Sequence, residues 1–210
     1  MMPFYAGLVM AYLLGSVPAA LIAGRVLGGI DIRTTGSGNA GATNLYRLFG
    51  LKPYIAVLAV DIGKGYAATV LITPWIKPGL LNPLQTSVIF GFVSVLGHIF
   101  TIFAGFRGGK GAATAAGMML ALFPGTLLVA ASVYFVVVSF THYVSLGSIS
   151  MALTIPITLM AGYAVYGFIY PVEIYLSAIF LAVIIAWAHR SNIGRLLRGE
   201  ERKTYFFRKS

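Results

Sequence analysis

Long stretches without a charged side chain alternate with short basic segments along this chain. Residues 1–24 carry no charge and end at Arg25. The positive residue follows the apolar run, whereas a signal peptide has its positives first, so 1–24 predicts a retained transmembrane helix with its N-terminus outside. A polar segment, 25–52, holds Arg25, Arg33, Arg47 and Lys52. Residues 53–76 predict a second span, although Asp61 and Lys64 lie within it, and 78–106 predict a third. Arg107 and Lys110 mark a second basic loop. Residues 112–139 then run for 28 positions. As one helix that is about 42 Å, against a hydrocarbon core of roughly 30 Å. Phe123-Pro124-Gly125 divides it into two short halves. After the polar patch 139–148 come spans at 149–168 and 173–188, and then a basic tail.

Parity of crossings follows from the charges. Of 15 Lys and Arg residues, all but Lys64 and Lys77 fall in 25–52, 107–110 and the tail. Positive loops stay on the cytoplasmic side, so 111–188 crosses an even number of times. Four crossings make seven transmembrane helices, with two short ones hinged near Pro124; two make five, with one segment re-entrant or superficial. Seven is favoured because it returns 141–148 to the cytoplasmic side. The predicted fold is therefore an all-α integral membrane protein, a polytopic helical bundle with a cytoplasmic C-terminus and a single domain over 1–210.

Composition agrees. Apolar residues make up 59% and charged residues 10%, where a soluble domain has roughly 25% charged. Mean hydropathy is +0.89. With no Cys there is neither a disulfide scaffold nor a thiolate zinc site. The net charge of +10 would suit nucleic acid, but the positives sit in topogenic clusters and form no basic stripe, so nucleic acid is not an expected partner.

Three segments carry candidate chemistry. Thr35-Gly-Ser-Gly-Asn-Ala-Gly-Ala-Thr-Asn44 is followed by Arg47. Gly36, Gly38 and Gly41 permit close backbone approach to an anion, while Ser37, Asn39, Thr43 and Asn44 add donors. Arg47 offers a bidentate grip on phosphate, and a helix starting near residue 42 would aim its N-terminus at the same place. A plain connecting loop is the alternative, but ten residues so lacking in bulk favour phosphate. The second segment is Gly97-His98 and then Phe106-Arg-Gly-Gly-Lys-Gly-Ala-Ala-Thr114. It lacks P-loop spacing and a preceding strand. Lys110 among Gly108, Gly109 and Gly111, beside Thr114, still makes an oxyanion site. His98, within the span, reads by itself as a packing or hydrogen-bonded histidine rather than a catalyst.

The third segment joins 141–148, containing His142 and Ser145, to the run from His189 to Glu201. His189, Asn192 and Arg195 recur every three residues and share a helix face. Asp61 and Lys64, also three apart, form either a structural pair or a functional one. Three His and five carboxylates, none in ligand spacing, leave no metal site. The chemistry should rest on positioning anions.

Ser37-Gly-Asn-x-Gly-x-x-Asn44, Gly97-His-x-Phe100, Phe106-x-Gly-Gly-Lys-Gly-x-Ala-Thr114 and His189-x-x-Asn-Ile-x-Arg-Leu-x-x-Gly-x-Glu201 resemble the bacterial acylphosphate-dependent glycerol-3-phosphate acyltransferases, the PlsY family. Asp61-x-x-Lys-Gly65 and Tyr143-x-Ser-Leu-Gly147 fit the same pattern, and Thr101 departs from it where Pro is common. The resemblance implies transfer of a fatty acyl group from acyl phosphate to the 1-hydroxyl of glycerol 3-phosphate. The products would be lysophosphatidic acid and phosphate, made at the cytoplasmic face of the bacterial inner membrane among its lipids, with no cofactor or metal. It assigns Ser37, Arg47, Lys110 and Ser145 to phosphate groups. Asn39, Thr43, Thr114 and the amides of Gly38, Gly41, Gly108, Gly109 and Gly111 would orient the acyl phosphate. His189 and Asn192 would bind or polarise the glycerol hydroxyl, Glu201 would orient Arg195, and His98 would be a further partner. The rival class is a transporter of a small phosphate ester; the uncharged stretch 111–172 offers it little pathway lining.

Overall fold

The computed structural model describes residues 1–206; Arg208 and Lys209 of the basic tail lie outside the described residues. The described residues form ten α-helices and no strand, apart from a single bridge between Met2 and Ile76. The chain divides into two compact units, one ending at Phe123 and the other beginning at Pro124.

The first unit holds α1 (Phe4–Ser16), α2 (Ala19–Gly28), α3 (Ala42–Phe49), α4 (Leu51–Leu71), α5 (Pro83–Ile99) and α6 (Ala112–Leu122). The first predicted span is thus two helices. Pro18 has no N–H and pushes Val17 out of helical geometry, to ψ 112°. The carbonyls left at this break find side-chain donors: Thr101 Oγ1 donates to Ser16 O, and Lys64 Nζ donates to Val17 O at 2.9 Å. The third span is shorter than 78–106. A reciprocal cap starts it at Pro83, with Gln85 N donating to Asn82 Oδ1 at 2.9 Å and Asn82 N to Gln85 Oε1 at 3.0 Å. It ends at Ile99, where the chain doubles back.

Glycines set how closely these helices approach. A Cβ on Gly15 or Gly97 would strike backbone at the α1–α5 seam, and one on Gly65 or Gly117 would strike backbone between α4 and α6. Small residues let backbones touch where lipid supplies no hydrophobic drive between helices.

The second unit holds α7 (Pro124–Thr141), α8 (Val144–Tyr166), α9 (Val172–Ala188) and α10 (Arg190–Leu197), with α8 packed on both α7 and α9. The polar patch 139–148 shrinks to a two-residue break, and Ser145 lies in the first turn of α8. The chain breaks at Phe123–Pro124, as the sequence predicts, and α6 at 11 residues is about 16 Å long. Among the described residues five stretches are long and apolar enough to cross a membrane, or six if α9 and α10, bent by 63°, count as one broken span.

Gly117→Leu should lower stability by about 1–3 kcal/mol through the α4–α6 seam. Gly63→Ala, at a position facing open space, should leave it unchanged or slightly higher. Thermal unfolding in detergent compares the two.

Candidate active site

Loop 30–41 is built around the buried side chain of Asn44. Its Oδ1 accepts from Ser37 N at 2.8 Å, and its Nδ2 donates to Ile32 O at 2.7 Å and to Thr35 O at 3.1 Å. Against the expectation that Asn44 donates to an anion, both amide protons go into the loop, which it shapes. Gly36, at φ +67°, places its absent Cβ against Asn44 Oδ1, so only glycine fits there. Helix α3 starts at Ala42 as predicted, with Thr43 in its first turn and Arg47 one turn further on. Ser37, Asn39, Gly41, Thr43 and Arg47 are half-buried and Gly38 is exposed.

Arg33 braces this loop. Its guanidinium lies 2.6 Å from the Asp31 carboxylate, and Nη1 donates to Ala104 O at 2.9 Å and Arg107 O at 3.4 Å in the second basic loop. Hydrogen bonds from the Arg33 side chain, then from its backbone amide, lower the Asp31 carboxyl to about 2.

In the second loop, Gly108 N donates to Ile99 O at 3.0 Å and Gly109 N to His98 O at 3.1 Å. The expectation that these two amides face an anion is therefore corrected: they satisfy the last carbonyls of α5. Their glycines are steric necessities, since a Cβ at either would overlap His98. The segment 110–114 remains suited to an anion. Gly111, at φ +80°, caps α6, whose first-turn amides lack intrahelical acceptors and sit at the positive end of the helix. Thr114 in that turn is fully buried, and its hydroxyl has no hydrogen-bond partner among the described residues. Half-buried Lys110 immediately precedes Gly111. His98, buried on the last turn of α5, has Nδ1 3.4 Å from Asp61 Oδ1, which also receives Lys64 Nζ at 2.7 Å.

In the second unit the centre is Glu201. Its Oε1 accepts from Asn192 Nδ2 at 2.5 Å and from Ser145 Oγ at 2.8 Å, and its Oε2 from Arg195 Nε at 2.7 Å. Glu201 thus holds Arg195 and two further side chains besides. Ser145, which the resemblance assigns to a phosphate, gives its single hydroxyl proton to this carboxylate. Thr204 N donates to His142 O at 2.8 Å, tying the tail to the α7–α8 turn. His189 stands at the bend between α9 and α10 and is buried. Its Nδ1 lies 2.8 Å from Ile185 O. A carbonyl only accepts, so Nδ1 carries a proton.

Among the described residues no group of three or more His, Asp or Glu side chains gathers as metal ligands. The arrangement offers two helix N-termini with nearby cations in one unit, and an imidazole, an amide and a carboxylate-held arginine in the other.

A family model described as glycerol-3-phosphate acyltransferase matches residues 5–199. The chain belongs to this family. It is 39% identical to the glycerol-3-phosphate acyltransferase of Chlorobaculum tepidum, with all of both chains covered, and 39% identical to that of Chlorobaculum parvum at the same coverage. Its fold resembles the crystal structure of PlsY (YgiH), an integral membrane glycerol 3-phosphate acyltransferase, in its glycerol 3-phosphate form. That match has a TM-score of 0.83 and 34% identity over 96% of each chain. The lysophosphatidic acid form matches with the same TM-score and 33% identity, over 96% of this chain and 95% of that one. This acyltransferase is therefore an all-helical integral membrane protein.

Two features were missed from the sequence. Asp31 and Arg33 are two apart, a spacing that could have flagged the brace, but Arg33 reads first as a topogenic charge. The Asp61–His98 contact joins α4 to α5 and has no local signal.

Burial would raise the Glu201 carboxyl, but hydrogen bonds from Asn192, Ser145 and Arg195 outweigh it and hold it below its ordinary 4.5. A lowered carboxyl contributes stability that is present above that ordinary value and lost as the pH falls through the folded one. Hydrogen exchange at the start of α8 and in α10 should accelerate in that acid window, while Glu201→Gln exchanges faster at neutral pH and shows no such step.

Proposed function

We propose that this acyltransferase moves a fatty acyl group from acyl phosphate to the 1-hydroxyl of glycerol 3-phosphate. The hydroxyl oxygen forms the new ester bond, the acyl carbon–phosphate oxygen bond breaks, and the hydroxyl proton leaves with phosphate. One observation carries this reading: likeness over nearly the whole chain to an acyltransferase whose crystal forms are described with glycerol 3-phosphate and with lysophosphatidic acid.

In the first unit, Lys110, Thr114, the Gly111 turn and the α6 amides are the seat for one phosphate. Ser37, Arg47 and the α3 N-terminus grip a second, with Gly38, Asn39, Gly41 and Thr43 orienting it. In the second unit, His189 Nε2 and Asn192 polarise the glycerol hydroxyl, and Arg195, fixed by Glu201, supplies positive charge. Ser145 acts through Glu201. The leaving phosphate, whose second pKa is about 6, takes the proton, so no carboxylate base is needed.

The reaction belongs at the cytoplasmic face of the bacterial inner membrane, with the N-terminus outside and seven crossings: α1 with α2, then α4, α5, α6, α7, α8 and α9. The clustering of positives supports that count, with the 11-residue α6 as the shorter of two helices hinged at Pro124. The whole chain acts as one transferase domain, in keeping with a family match over 5–199.

Purified protein given palmitoyl phosphate, glycerol 3-phosphate and EDTA should release phosphate only when both substrates are present, and should yield lysophosphatidic acid. Turnover with acyl-CoA alone would overturn the donor; silence with every donor would turn attention to vesicle flux. His189→Ala should lower kcat by less than about 100-fold, the lower bound of a full acid–base contribution. Complete loss of turnover with glycerol 3-phosphate binding intact would make His189 the base.

A further inference from the structure

Asp61 and Lys64 have side chains only 3% exposed, within a stretch apolar enough to cross a membrane. Charge is costly there and marks function by default, yet the acyl transfer above uses neither residue. Lys64 has an evident task, since Nζ reaches both the Asp61 carboxylate at 2.7 Å and the Val17 carbonyl at the Pro18 break at 2.9 Å. Asp61 has a second neighbour besides Lys64, His98 Nδ1 at 3.4 Å on α5. The other edge of that imidazole lies under the second basic loop. A Cβ on Gly109 would overlap Nε2 and stand 3.0 Å from both Cδ2 and Cε1. Gly109 N also donates to the His98 carbonyl at 3.1 Å, so the ring and the backbone of one residue together seat Gly109. Lys110 is next in the chain.

The geometry points to Asp61 as a positioning residue for Lys110. Its carboxylate fixes the rotation of the His98 ring, a torsion with broad and roughly two-fold preference when left alone. The fixed ring is the floor on which Gly109 rests, and Gly109 places Lys110 at the start of α6. Lys64 balances the buried charge. Without the carboxylate 3.4 Å from Nδ1 the ring is free to turn, the floor shifts, and the ammonium leaves its place. Displacement of about 1 Å at a reacting centre costs about 100-fold in rate.

The inference rests on Lys110 being a phosphate-binding group, so the experiment tests the two separately. Phosphate release from palmitoyl phosphate and glycerol 3-phosphate is measured on the purified full chain, with thermal unfolding as the fold control. Two charge-neutral double variants differ only in the acceptor offered to His98. Asp61→Asn with Lys64→Met keeps an acceptor and should stay within about threefold of the parent. Asp61→Leu with Lys64→Met removes it, and kcat/KM should fall by about 10–100-fold with unfolding unchanged. In a Lys110→Ala background the same Leu/Met change should cost little more, because residues acting as one unit are non-additive. Should the Leu/Met variant fail to fold, His98→Leu keeps the ion pair, removes the ring and should show the same loss and the same non-additivity. Parental activity in the Leu/Met or His98→Leu variant overturns the positioning role. So does an equal loss in both double variants, or a loss that persists undiminished without Lys110. Full activity of Lys110→Ala alone overturns the phosphate-binding reading instead.

Discussion

Inside a hydrocarbon layer a polar group must find its partner within the protein, and much of this structure follows from that one demand. Departures from a straight helix create backbone groups in need of partners, and two of them in the first unit are answered from elsewhere in that unit. The Pro18 break exposes two carbonyls, taken by Thr101 and Lys64. The abrupt end of α5 exposes two more, taken by Gly108 and Gly109. The second basic loop grows out of these repairs. The chain that doubles back to cap α5 is the chain that carries Lys110, and the lysine that answers Pro18 brings with it the carboxylate that meets His98.

The same economy of partners governs the loop around Asn44 and the cluster around Glu201. In each, one buried planar group gathers several segments by satisfying three or more hydrogen bonds. Asn44 uses both ends of its amide to hold residues 32–37 against α3. Glu201 uses both oxygens to hold the first turn of α8 against two residues of α10. A satisfied network of this kind fixes one geometry.

Much of this was legible in the chain. Uncharged runs marked the helices, Phe123-Pro124-Gly125 marked a true break, and glycine-flanked basic segments marked helix starts at Ala42 and Ala112. These signals are local, carried by neighbours in sequence. The division of labour among the glycines was not legible. Gly108 and Gly111 look alike in the motif, yet one amide is bonded to α5 and the other residue opens α6; only the fold of the 100–109 turn separates them. Ser145 and Glu201 lie 56 residues apart, and His98 and Asp61 lie on different helices, so neither pairing leaves a periodic trace. The Pro18 break was visible as a proline, but helices in lipid tolerate proline when neighbours rescue the freed carbonyl. The rescuing side chains stand 47 and 85 positions from the carbonyls they meet.

The position of Glu201 bears on when this protein can work. Ser145 is synthesised 56 residues before the carboxylate that holds it. Chains emerge from the N-terminus and their domains fold in that order. The second unit therefore cannot complete its polar cluster until residue 201 has left the ribosome. A copy cut short ahead of Glu201 would lack the one carboxylate that joins Ser145, Asn192 and Arg195.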